Sequence, residues 1–463
     1  MDILRGVCIA ATVALVTACA VGPDYKRPQF DAAAAYKEQN GWKPSEPGDA
    51  LERGPWWQIY HDDALNGLEA QVNVSNENIR AAAAAFEEAR ALVSQARAGF
   101  WPSISASAGR ERTVTGSQPP RTLDTAGLAA SWDLDIWGQI RRSAEGSRAN
   151  EQASAALLAA ARLSAQAALA TDYFELRAQD QLQIILNDIV AAEQQSLKIT
   201  ENRYRVGVAA KADVVSARTQ LLSSQAQQVN APLQRAVLEH AIAVLVGRQP
   251  SDFSVAPSQM RSDVPTVPAG LPSTLLERRP DIAQAERKVA AANAQIGVAI
   301  SAFFPSLTLS GSDDYAGSAI SRLIKASNRV WAFGPALALS VFDAGLRRAQ
   351  VAEARAAYDV SVDNYRQTVL AGIQQVEDEI VSLRVLEQQA VIEDAAVKAA
   401  REAETLTLNQ YKAGAVPYSS VITAQTTRLV SEETALSVLS GRLQASVAMI
   451  EALGGGWKRA ELP

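Results

Sequence analysis

The chain has 463 residues, of which 48% are hydrophobic and 20% are charged, and its formal net charge is −6. This balance excludes a collagen, a disordered polymer and a polytopic helical membrane protein, and the slight acidity argues against nucleic-acid binding. Two histidines and two cysteines leave little material for a zinc site or a histidine-based catalytic centre. We therefore expect no enzymatic activity, no metal site and no cofactor. The bulk average alone indicates a soluble, alanine-rich helical protein.

The N-terminus predicts export from the cytoplasm. Residues 1–18 carry one basic side chain, Arg5, and an apolar run too short to span a bilayer, which ends in Val-Thr-Ala before Cys19. This pattern fits a signal peptide, and the small residues before Cys19 resemble a bacterial lipobox, in which the cysteine is acylated. A plain secretory signal with an incidental cysteine is the alternative. Cys8 would be removed with the signal, so the mature chain would hold Cys19 alone and no internal disulfide.

The rest of the chain contains two related halves. Phe100-Trp-Pro-Ser-Ile104 recurs as Phe303-Phe-Pro-Ser-Leu307, and a glycine and a Tyr-x-x-Gly motif then recur 207 residues apart. Chance similarity between alanine-rich helices would not preserve this order. The duplication predicts the following division: a signal peptide over 1–18, an extended segment over 19–61, a first repeat over 62–246, a proline-rich linker over 247–280, a second repeat over 281–453 and a tail over 454–463.

Each half is predicted to contain a helix too long for an ordinary globular domain. From Gln139 to Arg205 apolar residues follow a 3.5-residue period without a proline, and such a helix extends ~100 Å at 1.5 Å per residue. The same period continues from Gly345 to Tyr411. Shorter helices are predicted over 212–246 and 281–302, and these two stacked end to end come close to the length of the long helix. The pattern indicates either a solvated coiled-coil rod or a wall of packed helices.

Two pairs of segments, about 102–137 and 305–342, alternate between apolar and small polar residues with aromatic residues at their ends. Each segment is about ten residues long, the length of a tilted transmembrane strand. Two hairpins on a soluble domain would show the same alternation. In lipid, however, an open hairpin leaves its edge amides unsatisfied, and four strands cannot close a barrel, so several chains would have to pool their strands. Asp133 and Asp135 alternate onto the polar face and are candidates to face a barrel lumen, where simple solvation of a wet wall is the favoured explanation for them.

Several motifs resemble a known family when they are taken together and in order. They are Cys19-Ala-Val-Gly-Pro-Asp-Tyr-Lys-Arg-Pro28, Trp56-Trp-Gln-Ile-Tyr-His-Asp62, Glu277-Arg-Arg-Pro-Asp-Ile282, the duplicated Phe-Pro-Ser segments and the two Tyr-x-x-Gly turns. The sequence resembles the TolC-like outer-membrane efflux factors, and within them the NodT-type lipoproteins. The resemblance covers nearly the whole mature chain.

The resemblance implies a mainly α fold with a membrane β part. Three chains would share a twelve-stranded transmembrane β-barrel, four strands from each, above a long α-helical coiled-coil barrel in the periplasm. It also implies the outer-membrane channel of a tripartite efflux pump, anchored through Cys19. The implied partners are a periplasmic adaptor and an inner-membrane transporter of the RND type.

The resemblance further implies that the adaptor docks, and the tunnel is gated, at a periplasmic tip formed by the turns over 204–213 and 411–420. Family members often carry an acidic residue just after the second tip glycine, but here Ala415 follows Gly414. Asp213 is then the nearer candidate for a charged gate, and Val416 offers a hydrophobic constriction instead. Both positions also suit the first turn of a helix. The implied tip residues are Tyr204, Arg205, Gly207, Lys211, Asp213, Tyr411, Lys412, Gly414, Val416 and Pro417.

Two other functions compete with efflux of drugs and toxic compounds. The channel could serve type I protein or peptide secretion, or the chain could be a non-conducting periplasmic coiled-coil scaffold. Ion conduction in planar bilayers would separate the scaffold from a channel. The substrate stays open, because a duct passes whatever its pump delivers.

Overall fold

The computed structural model of the chain describes residues 20–30, 35–39, 55–267 and 275–463. The predicted signal peptide and Cys19 lie outside the described residues. Two short helices open the first half and one opens the second, and each half continues with two strands, a very long helix and a shorter helix. The first half contains α1 (Asp63–Ser75), α2 (Glu77–Ala98), β1 (Ser103–Thr113), β2 (Arg121–Asp133), α3 (Gln139–Arg205) and α4 (Lys211–Leu245); the second contains α5 (Pro280–Ser301), β3 (Ser306–Gly317), β4 (Arg329–Ala338), α6 (Leu346–Ala413) and α7 (Tyr418–Ala452).

The predicted helices are confirmed almost to the residue. The long helix α3 begins at Gln139 and ends at Arg205 as the 3.5-residue period indicates, and α4 and α5 each begin and end one residue earlier than predicted. At 67 and 68 residues, α3 and α6 are nearly equal in length. The apolar stripe of α3 is buried at Phe174, Ile185 and Ile189, so the heptad pattern marks the packed side of the helix.

The pairing of the shorter helices differs from the prediction, which stacks α4 on α5. Instead α4 ends against the start of α2, where Asn76 Nδ2 donates to the carbonyl of Leu245 at 2.8 Å. In the same way α7 ends against the start of α5, where Arg279 Nη1 donates to the carbonyl of Ala452 at 2.9 Å. Each repeat therefore closes on itself, because a side chain at the start of one helix satisfies an unpaired carbonyl at the end of the other.

The strands form one antiparallel sheet in the order β1-β2-β3-β4. Ser103 pairs with Ser131, Asp133 with Thr308 and Ser306 with Ala338. Within the described part of the chain, β1 and β4 each have a strand on one side only. The register separates an apolar face and a serine-rich face. The apolar face carries Ile104, Leu128, Trp132, Leu309, Trp331, Phe333 and Leu337; the serine-rich face carries Ser103, Ser105, Ser107, Ser131, Asp133, Ser306, Thr308, Ser310 and Ser312.

The second strand of each pair lies earlier in the chain than predicted. The alternating pattern continues to Ile136 and Phe342, but β2 ends at Asp133 and β4 ends at Ala338. Beyond each strand a glycine in the left-handed conformation, Gly138 (φ 81°) or Gly345 (φ 91°), precedes the long helix. Apolar alternation therefore runs on into the turn, where it no longer reports strand geometry.

The largest core lies where the N-terminal segment and the linker pack on the helices. Trp56, Trp57 and Tyr60 are buried in this core, together with Val255 of the linker. The Tyr60 hydroxyl and Ser446 Oγ, on α7, are 2.7 Å apart. These irregular segments thus form a belt around the middle of the helical layer. An apolar stretch inside α3 is long enough to cross a membrane, but α3 packs along α2, α4, α5 and α7, so it belongs to this layer.

Candidate functional site

The first candidate tip turn joins α3 to α4. Gly207 adopts φ 77°, its N–H donates to the carbonyl of Tyr204 at 3.0 Å, and the N–H of Val208 donates to the carbonyl of Arg203 at 2.9 Å. These two bonds close the last turn of α3, and glycine adopts the left-handed conformation without the penalty of a Cβ. Nothing lies within 4 Å of a Cβ placed on Gly207. The exposed side chains around it include those of Tyr204, Arg205, Val206, Val208 and Lys211.

The second candidate tip turn joins α6 to α7 with the same geometry. Gly414 has φ 80° and its N–H donates to the carbonyl of Tyr411, while the N–H of Ala415 donates to the carbonyl of Gln410 at 2.9 Å. Lys412 and Pro417 are exposed. The two halves of the duplication therefore present two equivalent turns at the same end of the helical layer.

Of the two residues weighed as gates, Asp213 lies in the first turn of α4 and Val416 lies just before Pro417, the N-cap of α7. Asp213 is half-buried in the first turn of α4, where its carboxylate is favourable near the positive end of the helix dipole. Val416 is half-buried and packs against the tip core formed by Ala217, Tyr411, Tyr418 and Val421. Both contacts stabilise the single chain and leave a gating role as a proposal.

Tyr411, one of the implied tip residues, lies at the second turn with its side chain buried. Tyr411 is 3% exposed, and its ring packs edge to face on Tyr418 with centroids 5.1 Å apart. The guanidinium of Arg203 lies 4.9 Å above the Tyr411 ring, and Arg203 Nη1 donates to the carbonyl of Lys412 at 2.5 Å. Arg203 thus ties the end of α3 to the end of α6. No sequence signal marks this contact, because a basic residue in the last turn of a helix is ordinary.

A network of ion pairs links α6 to α7 further along the helices from the tip. Arg428 donates to Glu404 at 2.8 Å and to Glu432 at 3.0 Å, and Arg401 donates to Glu432 at 2.6 Å. Glu193 on α3 is also buried there; burial raises its pKa above the usual range, and the charge of Glu404 adds to the effect. Because the desolvation of buried charges offsets much of their attraction, this network joins α6 to α7 without being strong evidence of added stability.

The N-terminal strap, residues 20–26, lies along the junction between the sheet and the long helices. The N–H of Val21 donates to the carbonyl of Trp137 at 3.0 Å, and Arg142 Nη2 donates to Asp24 at 2.8 Å. A Cβ placed on Gly22 would lie 2.5 Å from the Cα of Gly297 on α5, so the two backbones touch. Ala20, the residue after Cys19, therefore lies at the start of α3.

An aromatic pair marks the same junction. The rings of Trp137 and Phe304 stack with centroids 4.5 Å apart, and Trp137 Nε1 donates to the carbonyl of Pro305 at 2.8 Å. Aromatic rings with one bonded polar atom are typical of a membrane–water interface.

The two acidic lumen candidates have different roles. Asp133 is the last residue of β2, lies on the serine-rich face and accepts from Thr308 Oγ1 at 2.7 Å. Asp135 lies beyond the strand, and its carboxylate accepts from the N–H groups of Ile140 and Arg141, both at 2.9 Å. The prediction that Asp135 alternates along the strand is therefore wrong, because it satisfies the first turn of α3 instead.

Within the described ranges, no group of three or more His, Cys, Asp or Glu side chains is placed to hold a metal ion. The sequence matches the profile of a family described as outer membrane efflux protein over residues 69–248 and 271–455. The chain belongs to this family.

Two characterised efflux proteins are similar to this chain in sequence. The toluene efflux pump outer membrane protein TtgC of Pseudomonas putida is 29% identical over 463 residues, which cover 97% of this chain and 95% of TtgC. The cation efflux system protein CusC of Escherichia coli O157:H7 is 28% identical over 459 residues, 98% of each chain. Both relatives are matched over nearly their whole length.

Solved structures agree with the fold. The outer-membrane channel OprN superposes with a TM-score of 0.89 at 29% identity, over 95% of this chain and all of OprN. The MtrE outer membrane channel of Neisseria gonorrhoeae, solved in an open state, gives 0.84 at 27% identity, over 95% of this chain and 99% of MtrE. The protein is therefore the outer-membrane channel of an efflux pump, with a helical periplasmic extension, and it is a passive duct and not an enzyme. This assignment removes the non-conducting scaffold and favours efflux over protein secretion.

Proposed function

We propose that three copies of the chain, anchored by lipid at Cys19, form a channel that expels small toxic compounds delivered by an inner-membrane transporter of the RND type and a periplasmic adaptor. The observation that carries the proposal is the sheet itself. It has an apolar and a serine-rich face, and two edges that lack a second neighbour within the described residues. A sheet with open edges is unstable in hydrocarbon, whereas a closed barrel satisfies every backbone amide.

Pairing β1 of one copy with β4 of the next closes the sheet. The apolar face would then contact lipid and the serine-rich face would line the lumen, with Asp133 near its inner end. Four strands from each of three copies suffice for a barrel, because the smallest known barrels need about eight. Purified trimers that conduct ions in planar bilayers would support this arrangement, and trimers that do not conduct would contradict it.

The lipid anchor is supported by the position of Ala20. That residue lies beside Gly138, at the junction marked by the stacked Trp137 and Phe304. A lipid on the preceding residue would start at the level of the interfacial aromatic side chains. Radiolabelled palmitate should appear in the wild-type chain and not in Cys19→Ala, and label in that variant would contradict acylation at Cys19.

The tip turns are the proposed adaptor contact. They carry the exposed Tyr204, Arg205, Lys211, Lys412 and Pro417. A Cβ placed on Gly207 meets nothing within 4 Å, and one placed on Gly414 would lie 3.7 Å from Arg203 Nη2. The experiment compares Gly207→Asp and Gly414→Asp with Gly116→Asp, a glycine of positive φ in the β1–β2 loop that also faces open space.

Either tip substitution should abolish drug resistance while trimer abundance stays unchanged, because the added charge obstructs docking; Gly116, which also has a positive φ, controls for the backbone strain that each substitution introduces. Gly116→Asp should retain resistance. Full resistance in both tip variants would refute docking at these turns.

Small organic compounds are the proposed substrates, because TtgC bears the name of a toluene pump. Growth of a deletion strain on a panel of antibiotics, aromatic solvents and metal cations tests this choice. Sensitivity to cations alone would place the chain with CusC, which bears the name of a cation efflux protein.

A further inference from the structure

The loop between β3 and β4, residues 318–328, folds back onto the apolar face of the sheet. The backbone of Ile320 lies against the carboxylate of Asp124, which is 1% exposed, and the register places Asp124 on the apolar face, opposite Gly317. The loop residue Leu323 is 6% exposed, and its Cδ1 lies 3.6 Å from a Cβ placed on Gly317. Asn328 Nδ2 donates to the carbonyl of Leu323 at 3.2 Å. The loop is therefore an ordered element seated at the end of the sheet farthest from the helices.

This loop exposes apolar and basic side chains together. Ile320 is 70% and Ile324 is 79% exposed, and Arg322 and Lys325 between and beside them are also exposed. In the part of the chain that the structure describes, neither cation makes an ion pair. Exposed isoleucines next to unpaired cations are typical of a segment that lies in the interface of a membrane, with its apolar side chains among acyl chains and its cations near phosphate groups.

The neighbouring strands add three arginines on the same face. Arg110 binds both carboxylate oxygens of Asp124, at 2.5 and 3.0 Å, and Arg329 binds both of Asp313, at 2.7 and 2.8 Å. Arg112 lies opposite an uncharged threonine. Together with the two loop cations, five basic side chains surround two carboxylates just beyond the exposed rings of the apolar face. The excess of positive charge matches an anionic surface.

We infer that the outer phosphate-binding surface, made of the 318–328 loop with Arg110, Arg112 and Arg329, binds phosphate-bearing lipid headgroups in the outer leaflet of the membrane. The inference rests on the proposal that the apolar face contacts lipid. A second copy of the chain is a poorer occupant, because the loop lies beside Asp124 of β2 and Gly317 of β3, the two middle strands, whereas other copies would pair at the β1 and β4 edges. The lipid fits both the isoleucines and the cations.

The test measures binding of lipid A, a diphosphorylated glycolipid, to purified full-length trimers in mixed micelles. The measured quantity is the increase in the midpoint temperature of trimer dissociation. This increase is compared among micelles that contain lipid A, dephosphorylated lipid A or phosphatidylcholine. The variants are the double substitutions Arg322→Gln/Lys325→Gln and Ile320→Ser/Ile324→Ser. Arg121→Gln is the matched control, since Arg121 is a basic residue at the same end of the sheet on the serine-rich face. A parallel series with inorganic phosphate distinguishes a lipid surface from a site for free phosphate.

Lipid A should stabilise the wild type more than either uncharged lipid does, and inorganic phosphate at equal concentration should have no effect. Loss of two cations near an anionic lipid surface should weaken the apparent affinity about 30-fold, and the isoleucine variant should also bind more weakly while remaining trimeric. Equal binding of lipid A by wild type and Arg322→Gln/Lys325→Gln would overturn the inference. A loss of lipid A affinity in Arg121→Gln as large as that in Arg322→Gln/Lys325→Gln would overturn it too, as would stabilisation by inorganic phosphate alone. Loss of trimers in the isoleucine variant would assign the loop to subunit contact instead. Resistance and conduction, measured on the same variants, report separately on the channel.

Discussion

Glu69, in the middle of α1, offers a sharp test of how burial of a charge affects this fold. Its side chain is completely buried, and neither carboxylate oxygen has a hydrogen-bond partner. Burial raises the pKa of Glu69 from 4.5 to about 9, because an ionised carboxylate without partners is strongly disfavoured away from water. The folded chain therefore holds Glu69 protonated at neutral pH.

The sign of the pH effect follows from the two pKa values. Between pH 4.5 and 9 the folded state keeps the proton and the unfolded state releases it, so stability is greatest at low pH and falls as the pH rises. Each pH unit costs about 1.4 kcal/mol, which amounts to about 3 kcal/mol per chain between about pH 4.5 and pH 7. Glu69→Gln removes the ionisable group and should remove this slope, although its buried amide adds a cost that does not depend on pH.

The assay is the dissociation and unfolding of purified trimers by heat, followed at about pH 5.5 and about pH 8.5, inside the window that the two pKa values define. The difference between wild type and Glu69→Gln should change in favour of the variant by about 4 kcal/mol per chain across this interval. Comparing the two proteins at each pH cancels the titration of every other group. Glu77→Gln, at an exposed glutamate on α2, is the control and should follow the wild type. A pH-independent difference between wild type and Glu69→Gln would refute the claim that Glu69 is buried as the neutral acid.

Three further substitutions test the tip, the strap and the junction. Arg203→Ala should raise the open probability of the channel in planar bilayers, because it removes a charge-assisted bond and a cation–π contact worth about 2 kcal/mol together. Arg205→Ala loses only a bond within α3 and should leave the open probability unchanged. Identical traces from the two variants would count against Arg203 as a clasp between α3 and α6. Gly22→Ala should release the strap and make it sensitive to protease, because a methyl group there meets the backbone of α5. Gly116→Ala should leave protease cleavage of the strap unchanged. A strap that stays protected in Gly22→Ala would contradict the close approach of Gly22 to Gly297. Asp135→Ala should lower the stability of the trimer by about 1–2 kcal/mol, because the first turn of α3 loses the hydrogen bonds that the carboxylate accepts. The measurement is the midpoint temperature of trimer dissociation. An unchanged midpoint temperature would mean that water replaces the carboxylate.

The helices can be predicted from the sequence because their signals are local. No proline interrupts α3, its apolar period is steady, and it begins after Gly138, a residue suited to the left-handed conformation. Strand ends are harder, because Leu134 and Ile136 continue an apolar alternation that a tight turn also permits. Side-chain roles are hardest: Tyr411 is buried by residues of other helices, and such contacts leave no periodic trace.

The two tip turns also differ in chemistry although they share a backbone. The turn that leads into α4 is followed by Lys211 and Asp213, and the turn that leads into α7 is followed by Val416 and Pro417. In a ring of three copies, turns that lead into a charged helix start and turns that lead into an uncharged helix start would alternate around the opening. A partner protein would therefore contact two kinds of turn, and a substitution in one kind would alter every second contact around the ring. A partner that has to engage both kinds of turn would lose coupling when either kind is changed, which is the outcome expected for Gly207→Asp and for Gly414→Asp.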